Sequence, residues 1–283
     1  MFTAGQYQLL DFGKGRKLEQ FGPFVLDRPS PSAGQSPRAA PALWKTAHAR
    51  FRRTKGESGR WLPKGALSES WTVRHKEIVL QLKPTDFGHL GVFPEQADNW
   101  DWIARQVRQA EKPIRVLNLF AYTGGATIAA AASGAEVVHV DAAKNTVQWA
   151  RRNAVLSGQE SAPVRWIAED AKKFVRRELR RGCHYDAVIL DPPSYGHGPK
   201  GESWKIARDL MPLLSKCGEL TRQRRVFFLL TCHSPEFAPS DLEAMLADAV
   251  FGHCQSGARA RPLSVPSKDH RLLPSGMVAR WPE

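Results

Sequence analysis

Three acidic residues each close an apolar run: Asp141 in HVD, Asp170 in AED and Asp191 in ILDPP. A carboxylate at the carboxyl end of a buried strand can accept hydrogen bonds from a ligand's hydroxyl or amino groups. Ahead of them, LNLFAYTGGAT at 117–127 starts apolar and breaks into small residues and the pair Gly124–Gly125. Glycine lets backbone approach a ligand closely, or simply makes a tight turn. Asp141 follows Gly124 by 17 residues, close to the spacing that sets an acid on a nucleoside ribose. A lone strand-end acid can equally be a helix N-cap. Three of them in register with a glycine turn point to a nucleoside-ligand floor. The dinucleotide spelling G-x-G-x-x-G is absent, so a ligand without a pyrophosphate fits better.

These residues need strands to carry them, and the pattern after Phe87 supplies strands. Trp100, Ile103, Ala104 and Val107 fall at helical spacing and predict an amphipathic helix over 97–110. Strand-helix units follow: IRVLNLF and a small-residue helix, AEVVHVD and TVQWARRNAVLSG, VRWIAED and AKKFVRRELRRG. YDAVILD precedes a loop and a helix containing IARDLMPLL, and RVFFLLTC precedes SDLEAMLADAV, where Ser240 and Glu243 form a capping-box pattern. Such alternation implies a mostly parallel sheet covered on both faces. The closing ARARPLSVPS and MVARWPE read as two final strands.

The first 86 residues read as a small β-rich region punctuated by FGKG, FGP and RPSPSAGQSP. WTVRHKEIVLQLKP at 71–84 predicts a hairpin turning near His75–Lys76. The Pro/Ser/Gly/Arg stretch from Arg28 to Gly59 predicts loop or partial disorder.

The 283 residues carry a formal charge of +13, an excess that favours polyanionic partners. No apolar run has the length of a membrane span, and the N-terminus lacks the apolar core of a secretory signal. Cys183, Cys217, Cys232 and Cys254 are scattered without a CxxC pair, which predicts reduced thiols in the cytoplasm and no metal site.

Taken together, LNLFAYTGGAT, Asp141, Glu169–Asp170 and the DPPSY of Asp191–Tyr195 resemble the motifs of class I S-adenosylmethionine-dependent methyltransferases. More narrowly they resemble the group around the bacterial large-subunit ribosomal RNA cytosine-5 methyltransferases, strongly from Phe87 to Ser234. DFGKGRKLEQFG and KPTDFGHLGVFPEQADNWDW are similar to a branch of that group without the RNA-binding PUA module. The resemblance implies an α/β, Rossmann-like fold with a seven-stranded sheet whose last strand is antiparallel. It implies a methyltransferase domain at 87–283, a recognition region at 1–86, and S-adenosylmethionine as cofactor. Ala121, Thr123 and Gly124 would border the methionine part and Asp141 would accept from the ribose hydroxyls. Ala142 would flank the adenine, Asp170 would accept from its amino group, and Phe93 and Gln96 would sit in a lid.

In amino-methylating enzymes, a segment similar to DPPSY uses its acid and a backbone carbonyl to grip an exocyclic amine. Asp191, Pro192 and Tyr195 match it, with Tyr195 stacking on the base. In RNA cytosine-5 methyltransferases, a cysteine at the place of Cys232 adds to the pyrimidine ring, and His233 would favour its thiolate. The relatives read closer to TCS, whereas this chain inserts His233 before Ser234. A cysteine ending a buried strand can also be a small core residue.

Ribosomal RNA is the expected partner, met by a basic surface. Candidates are Lys172, Lys173, Arg176 and Arg177 of AKKFVRRELRRG and the run HARFRRTKGESGRWLPKG, near which Trp44 and Trp61 either stack on bases or anchor the loop. Two other functions fit the motifs: methylation of an amine on a protein or small molecule, and noncatalytic RNA binding by a retained fold.

Overall fold

The computed structural model of the chain describes residues 1–54, 58–198, 201–252 and 257–283. Two compact units emerge, Met1–Asp98 with Ser264–Ser275, and Asn99–Leu263 with Gly276–Glu283. The division therefore falls at Asp98 rather than at residue 86, and a piece of the C-terminal segment belongs to the first unit. Cys254 and residues 55–57 of the basic run lie outside the described residues.

The first unit contains β1 (Tyr7–Gly13), β2 (Arg16–Phe21), β3 (Phe24–Pro29), β4 (Ala49–Arg53) and β5 (Gly59–Leu62) in one sheet in that order. A hairpin of β6 (Trp71–His75) and β7 (Ile78–Leu82) turns through Lys76, as the alternation predicted. The described part of the stretch from Arg28 to Gly59, residues 28–54 and 58–59, is more ordered than its composition suggests. Asp11, fully buried, accepts hydrogen bonds from the Ala39 and Ala40 backbone N–H groups, from Trp44 Nε1 at 2.7 Å and from Arg271 Nη2 at 2.5 Å. Burial alone would raise the Asp11 pKa, but these donors, Trp44 foremost, hold it below the usual range. Next along, Arg50 of β4 pairs with the buried Asp27 of β3 at 2.6 Å.

The second unit opens with α1 (Ala97–Gln109), whose first two residues belong to the first unit. It continues through β8 (Arg115–Leu119), α2 (Gly125–Ala131), β9 (Glu136–Asp141), α3 (Lys144–Leu156), β10 (Val164–Ala168) and α4 (Ala171–Arg180). Then come β11 (Ala187–Leu190), a short hairpin of β12 (Tyr195–His197) and β13 (Ser203–Lys205), and α5 (Ile206–Leu220). β14 (Phe227–Cys232), α6 (Pro239–Leu246), β15 (Arg259–Pro266) and β16 (Leu272–Trp281) complete the chain. The seven-stranded sheet runs β10-β9-β8-β11-β14-β16-β15, with β16 antiparallel to β14. β11 and β14 are buried at every residue, as a sheet covered on both faces requires. The α6 cap differs from the expected box: the helix starts at Pro239, Asp241 accepts from the Ala238 N–H at 2.7 Å, and Glu243 accepts from the Ala260 N–H instead. Among the described residues no helix is long and apolar enough to cross a membrane.

Under α2 lies a buried polar chain. Asn118 Nδ2 donates to Thr127 Oγ1 at 2.9 Å, and the Thr127 hydroxyl lies 2.9 Å from His139 Nδ1. Burial pushes the His139 pKa down to about 3, so the imidazole is neutral. Below the ordinary value of 6.5 the unfolded chain takes up a proton that the fold refuses, so stability is lost as pH falls toward 3. Each pH unit costs about 1.4 kcal/mol. Urea unfolding at pH 7 and pH 5 should show about 2 kcal/mol of loss from this residue. His139→Gln should remove that part of the slope, and an unchanged slope would contradict the assignment.

Candidate active site

The chain order along the sheet reverses between β8 and β11, so the loops leaving those strands diverge and open a crevice at their carboxyl ends. The loop after β8 is bent into an unusual shape. Phe120 (φ 56°), Tyr122 (φ 48°) and Gly124 (φ 90°) all take left-handed conformations, which costs free energy for the two aromatic residues. Asp141, at the end of β9, holds the bend in place. Its Oδ2 accepts from the Tyr122 N–H and its Oδ1 from the Ala143 N–H, both at 2.9 Å. Burial raises the Asp141 pKa, and the two backbone donors oppose that rise. Thr123 is buried behind the loop, where its carbonyl accepts from Asn153 Nδ2 at 2.8 Å, and Ala121 donates its N–H to Val140 O.

The structure brings Asp141, Ala142 and Asp170 to one small cavity of about 70 Å³, walled by Phe120, Pro193 and Trp204. Phe120 and Trp204 lie with ring centroids 4.9 Å apart. Asp170 caps α4, its Oδ1 accepting from the Lys173 N–H at 2.9 Å. The N-cap and ligand readings of this residue are therefore compatible: one oxygen serves the helix and the side chain still borders the cavity. Neighbouring Glu169 is committed to Arg177 at 2.5 Å. Sequence reasoning missed Phe120 and Trp204. Phe120 could have been flagged as the first residue past its strand, whereas Trp204 arrives through the β12–β13 hairpin and had no local signal.

At the end of β11, Asp191 is held by the Thr231 hydroxyl and lies 3.3 Å from His233 Nε2. Pro192 is buried, and the Pro193 carbonyl is occupied by Trp204 Nε1 at 2.6 Å. Ser194 Oγ accepts from Ser234 Oγ at 2.5 Å. Tyr195 is exposed, with its hydroxyl 2.9 Å from His197 Nε2. Cys232 is fully buried in the core cluster with Leu230, Leu242 and Leu246. Burial raises its thiol pKa, against hydrogen bonds from Ser234 that lower it. The resemblance implied a nucleophilic Cys232 aided by His233; in the fold the residue is buried. Phe93 and Gln96 belong to the first unit, where they flank and end a single 3-10 turn at Pro94–Gln96.

The basic helix is also less open than expected. Lys172 pairs with Asp209 at 3.1 Å, Lys173 with Glu202 and Arg177 with Glu169, leaving Arg176 and Arg180 outward. In the first unit Trp44 is an anchor, buried on Asp11 beneath the Arg38 guanidinium. Trp61 is half-buried, donating to Thr85 O at 3.0 Å.

The two glycines do different work. Gly124 supplies the left-handed turn, while a Cβ on Gly125 would sit 2.5 Å from the Trp100 ring. Gly125→Ala should destabilise the protein by about 1–3 kcal/mol by overpacking. Adding Trp100→Leu should recover part of that loss relative to Trp100→Leu alone. Equal unfolding midpoints for wild type and Gly125→Ala in urea would show that the ring moves aside freely.

The sequence matches the model of the S-adenosylmethionine-dependent methyltransferase family over residues 36–242. The structure is similar to a SAM-dependent methyltransferase from Agrobacterium tumefaciens, at 38% identity and a TM-score of 0.90, covering 99% of this chain and 91% of that one. Among curated proteins it is similar to ribosomal RNA large subunit methyltransferase I of Aeromonas hydrophila, 36% identical over 110 residues, which cover 38% of this chain and 27% of the relative. It is also similar to ribosomal RNA large subunit methyltransferase K/L of Shewanella baltica, 35% identical over 127 residues, covering 41% of this chain and 17% of the relative. The match thus spans well under half the length of either curated relative. With its family model matched over most of its length and Asp141 and Asp170 brought to one cavity, the chain belongs to the S-adenosylmethionine-dependent methyltransferases.

Proposed function

We propose that the protein methylates a base of ribosomal RNA, with the acceptor brought to the segment Asp191–Tyr195. The observation that carries this reading is the convergence of Asp141, Ala142 and Asp170 on a cavity that also borders Pro193 of that segment. The residues present fit S-adenosylmethionine. Asp141 would accept from the ribose hydroxyls, Asp170 from the adenine amino group, and Ala142 with Phe120 would flank the ring. Ala121, Thr123 and Gly124 would border the methionine end. The cofactor supplies a methyl group on a sulfonium, a donor that needs an aligned nucleophile.

The acceptor's proton must also be managed, and here the chain's own residues act. Asp191, fixed by Thr231 and facing His233, can receive a proton from an attacking nitrogen or orient the amine that carries it. Tyr195 is exposed and free to meet a base face. Cytosine C5 as acceptor would require Cys232 to leave its buried place, so the geometry supports a nitrogen acceptor better. Ribosomal RNA as substrate rests on the names of the curated relatives and on the chain's charge. A cleft of about 410 Å³ between α1, β15 and β16, which gathers Arg105, Arg259, Arg261 and Arg280 in the second unit, adds a surface suited to phosphates.

The test is methyl transfer from labelled S-adenosylmethionine to ribosomal RNA from a strain lacking the protein, with the modified nucleoside identified by mass spectrometry. Label in an N-methylated base is expected. Asp191→Asn should lower the rate about 10²–10⁴-fold, while Cys232→Ala should stay active. Label in 5-methylcytidine, lost in Cys232→Ala, would instead restore the cysteine route. No label in RNA or ribosomal subunits, despite cofactor binding, would contradict the substrate class and favour an amine on a protein or small molecule.

A further inference from the structure

Within the first unit, one large aromatic side chain stands out against its surroundings. Phe87 is 57% exposed although the loop that carries it is firmly held. Thr85 Oγ1 donates to His89 O at 2.8 Å, the Gly88 N–H donates to Thr85 O, and Arg28 Nη1 donates to Gly88 O at 3.1 Å. Gly88 has φ 78°, and a Cβ there would lie 2.7 Å from the buried Phe51 ring, so the loop lies flat on the core. Arg28 is itself fixed by the buried Glu19 at 2.7 Å. Burial alone would raise the Glu19 pKa, but Arg28 and then Lys17 hold it below the usual range, so the carboxylate anchoring the loop stays charged. An exposed ring on a rigid mount is preorganised for contact, because little conformational entropy is lost when something packs on it.

What surrounds Phe87 defines the partner. It opens onto a cleft of about 210 Å³ lined also by Lys17, Arg28, Arg53, His89 and Phe93. Among the described residues no carboxylate lines the cleft. Arg53 is exposed at the end of β4 and makes no ion pair among the described residues, and Lys17 is partly exposed beside Glu19. An aromatic face beside cations is the combination that holds single-stranded nucleic acid, the ring stacking on a base and the cations meeting the phosphate. An apolar peptide would gain nothing from the cations.

We propose that this cleft binds one nucleotide of single-stranded RNA, with Phe87 stacking on the base and Arg53 and Lys17 meeting its phosphate. The proposal rests on the reading of the protein as an RNA methyltransferase and gives that reading a specific contact. It also gives this task to Phe87 rather than to Trp44 and Trp61, for which the sequence left base stacking and loop anchoring equally open.

The test uses the full chain and a fluorescein-labelled single-stranded 15-mer RNA of mixed sequence, followed by anisotropy at two salt concentrations. Phe87→Ala should weaken binding about 5- to 100-fold, and Phe87→Trp should retain it. Arg53→Gln should weaken binding and flatten its salt dependence by about one phosphate contact. Affinity for S-adenosylhomocysteine should be unchanged in all three variants, which separates RNA contact from general damage. Unchanged RNA affinity in Phe87→Ala, or no RNA binding by the wild type, would overturn the proposal. Phe87-dependent RNA binding without methyl transfer to ribosomal RNA would uphold this site and defeat the proposed substrate, so the two failures are distinct.

Discussion

One carboxylate holds the candidate site together. Asp141 bridges two backbone N–H groups from different segments, that of Tyr122 in the loop after β8 and that of Ala143 leading into α3. The loop contains two non-glycine residues in left-handed conformations, which are stable only when the surroundings over-determine them. Charge-assisted hydrogen bonds to a partly desolvated carboxylate are strong enough to do so. Removing this interaction would release Phe120, and with it one wall of the cavity that Ala142 and Asp170 share. The rest of the second unit serves to bring the ends of β8, β9, β10 and β11 into register beside it.

The first unit shows the same device at other positions. Asp11 and Glu19 are buried carboxylates with donors from other segments: Trp44 and Arg271 for one, Tyr7 and Arg28 for the other. Each converts a stretch with few apolar residues into fixed structure. Buried charges are costly unless fully partnered, and both are. Their role is to specify which segments meet, and the apolar residues Leu18, Phe21, Leu26 and Phe51 supply the burial.

What could be read from the sequence follows the range of the interactions involved. The strand-helix alternation, the hairpin at β6–β7 and the two closing strands depend on local periodicity and were legible. The acids Asp141, Asp170 and Asp191 were legible because the point where an apolar strand ends is visible in the pattern, and they fall at or within two residues of it. The order of the described part of the segment from Arg28 to Gly59 was not, because it depends on Asp11, outside the segment, and on the pairing of Asp27 with Arg50, 23 residues later. Trp204 was hidden for a similar reason. The burial of Cys232 was open to either reading, since both a nucleophile and a core thiol can end a strand. The paired glycines divided their tasks between a turn and a close approach to Trp100, a distinction that only the neighbours reveal.

The central claim is that the carboxylate of Asp141 both fixes the loop and receives the nucleoside of the cofactor. Calorimetric titration of S-adenosylhomocysteine into the wild-type protein and into Asp141→Ala tests it directly, with circular dichroism confirming that the variant is folded. The account predicts saturable one-to-one binding to the wild type. In the variant, affinity should fall by about 30-fold or more, since hydrogen bonds to a charged group contribute about 1.5–3 kcal/mol each. Equal affinity in a folded Asp141→Ala protein would contradict it.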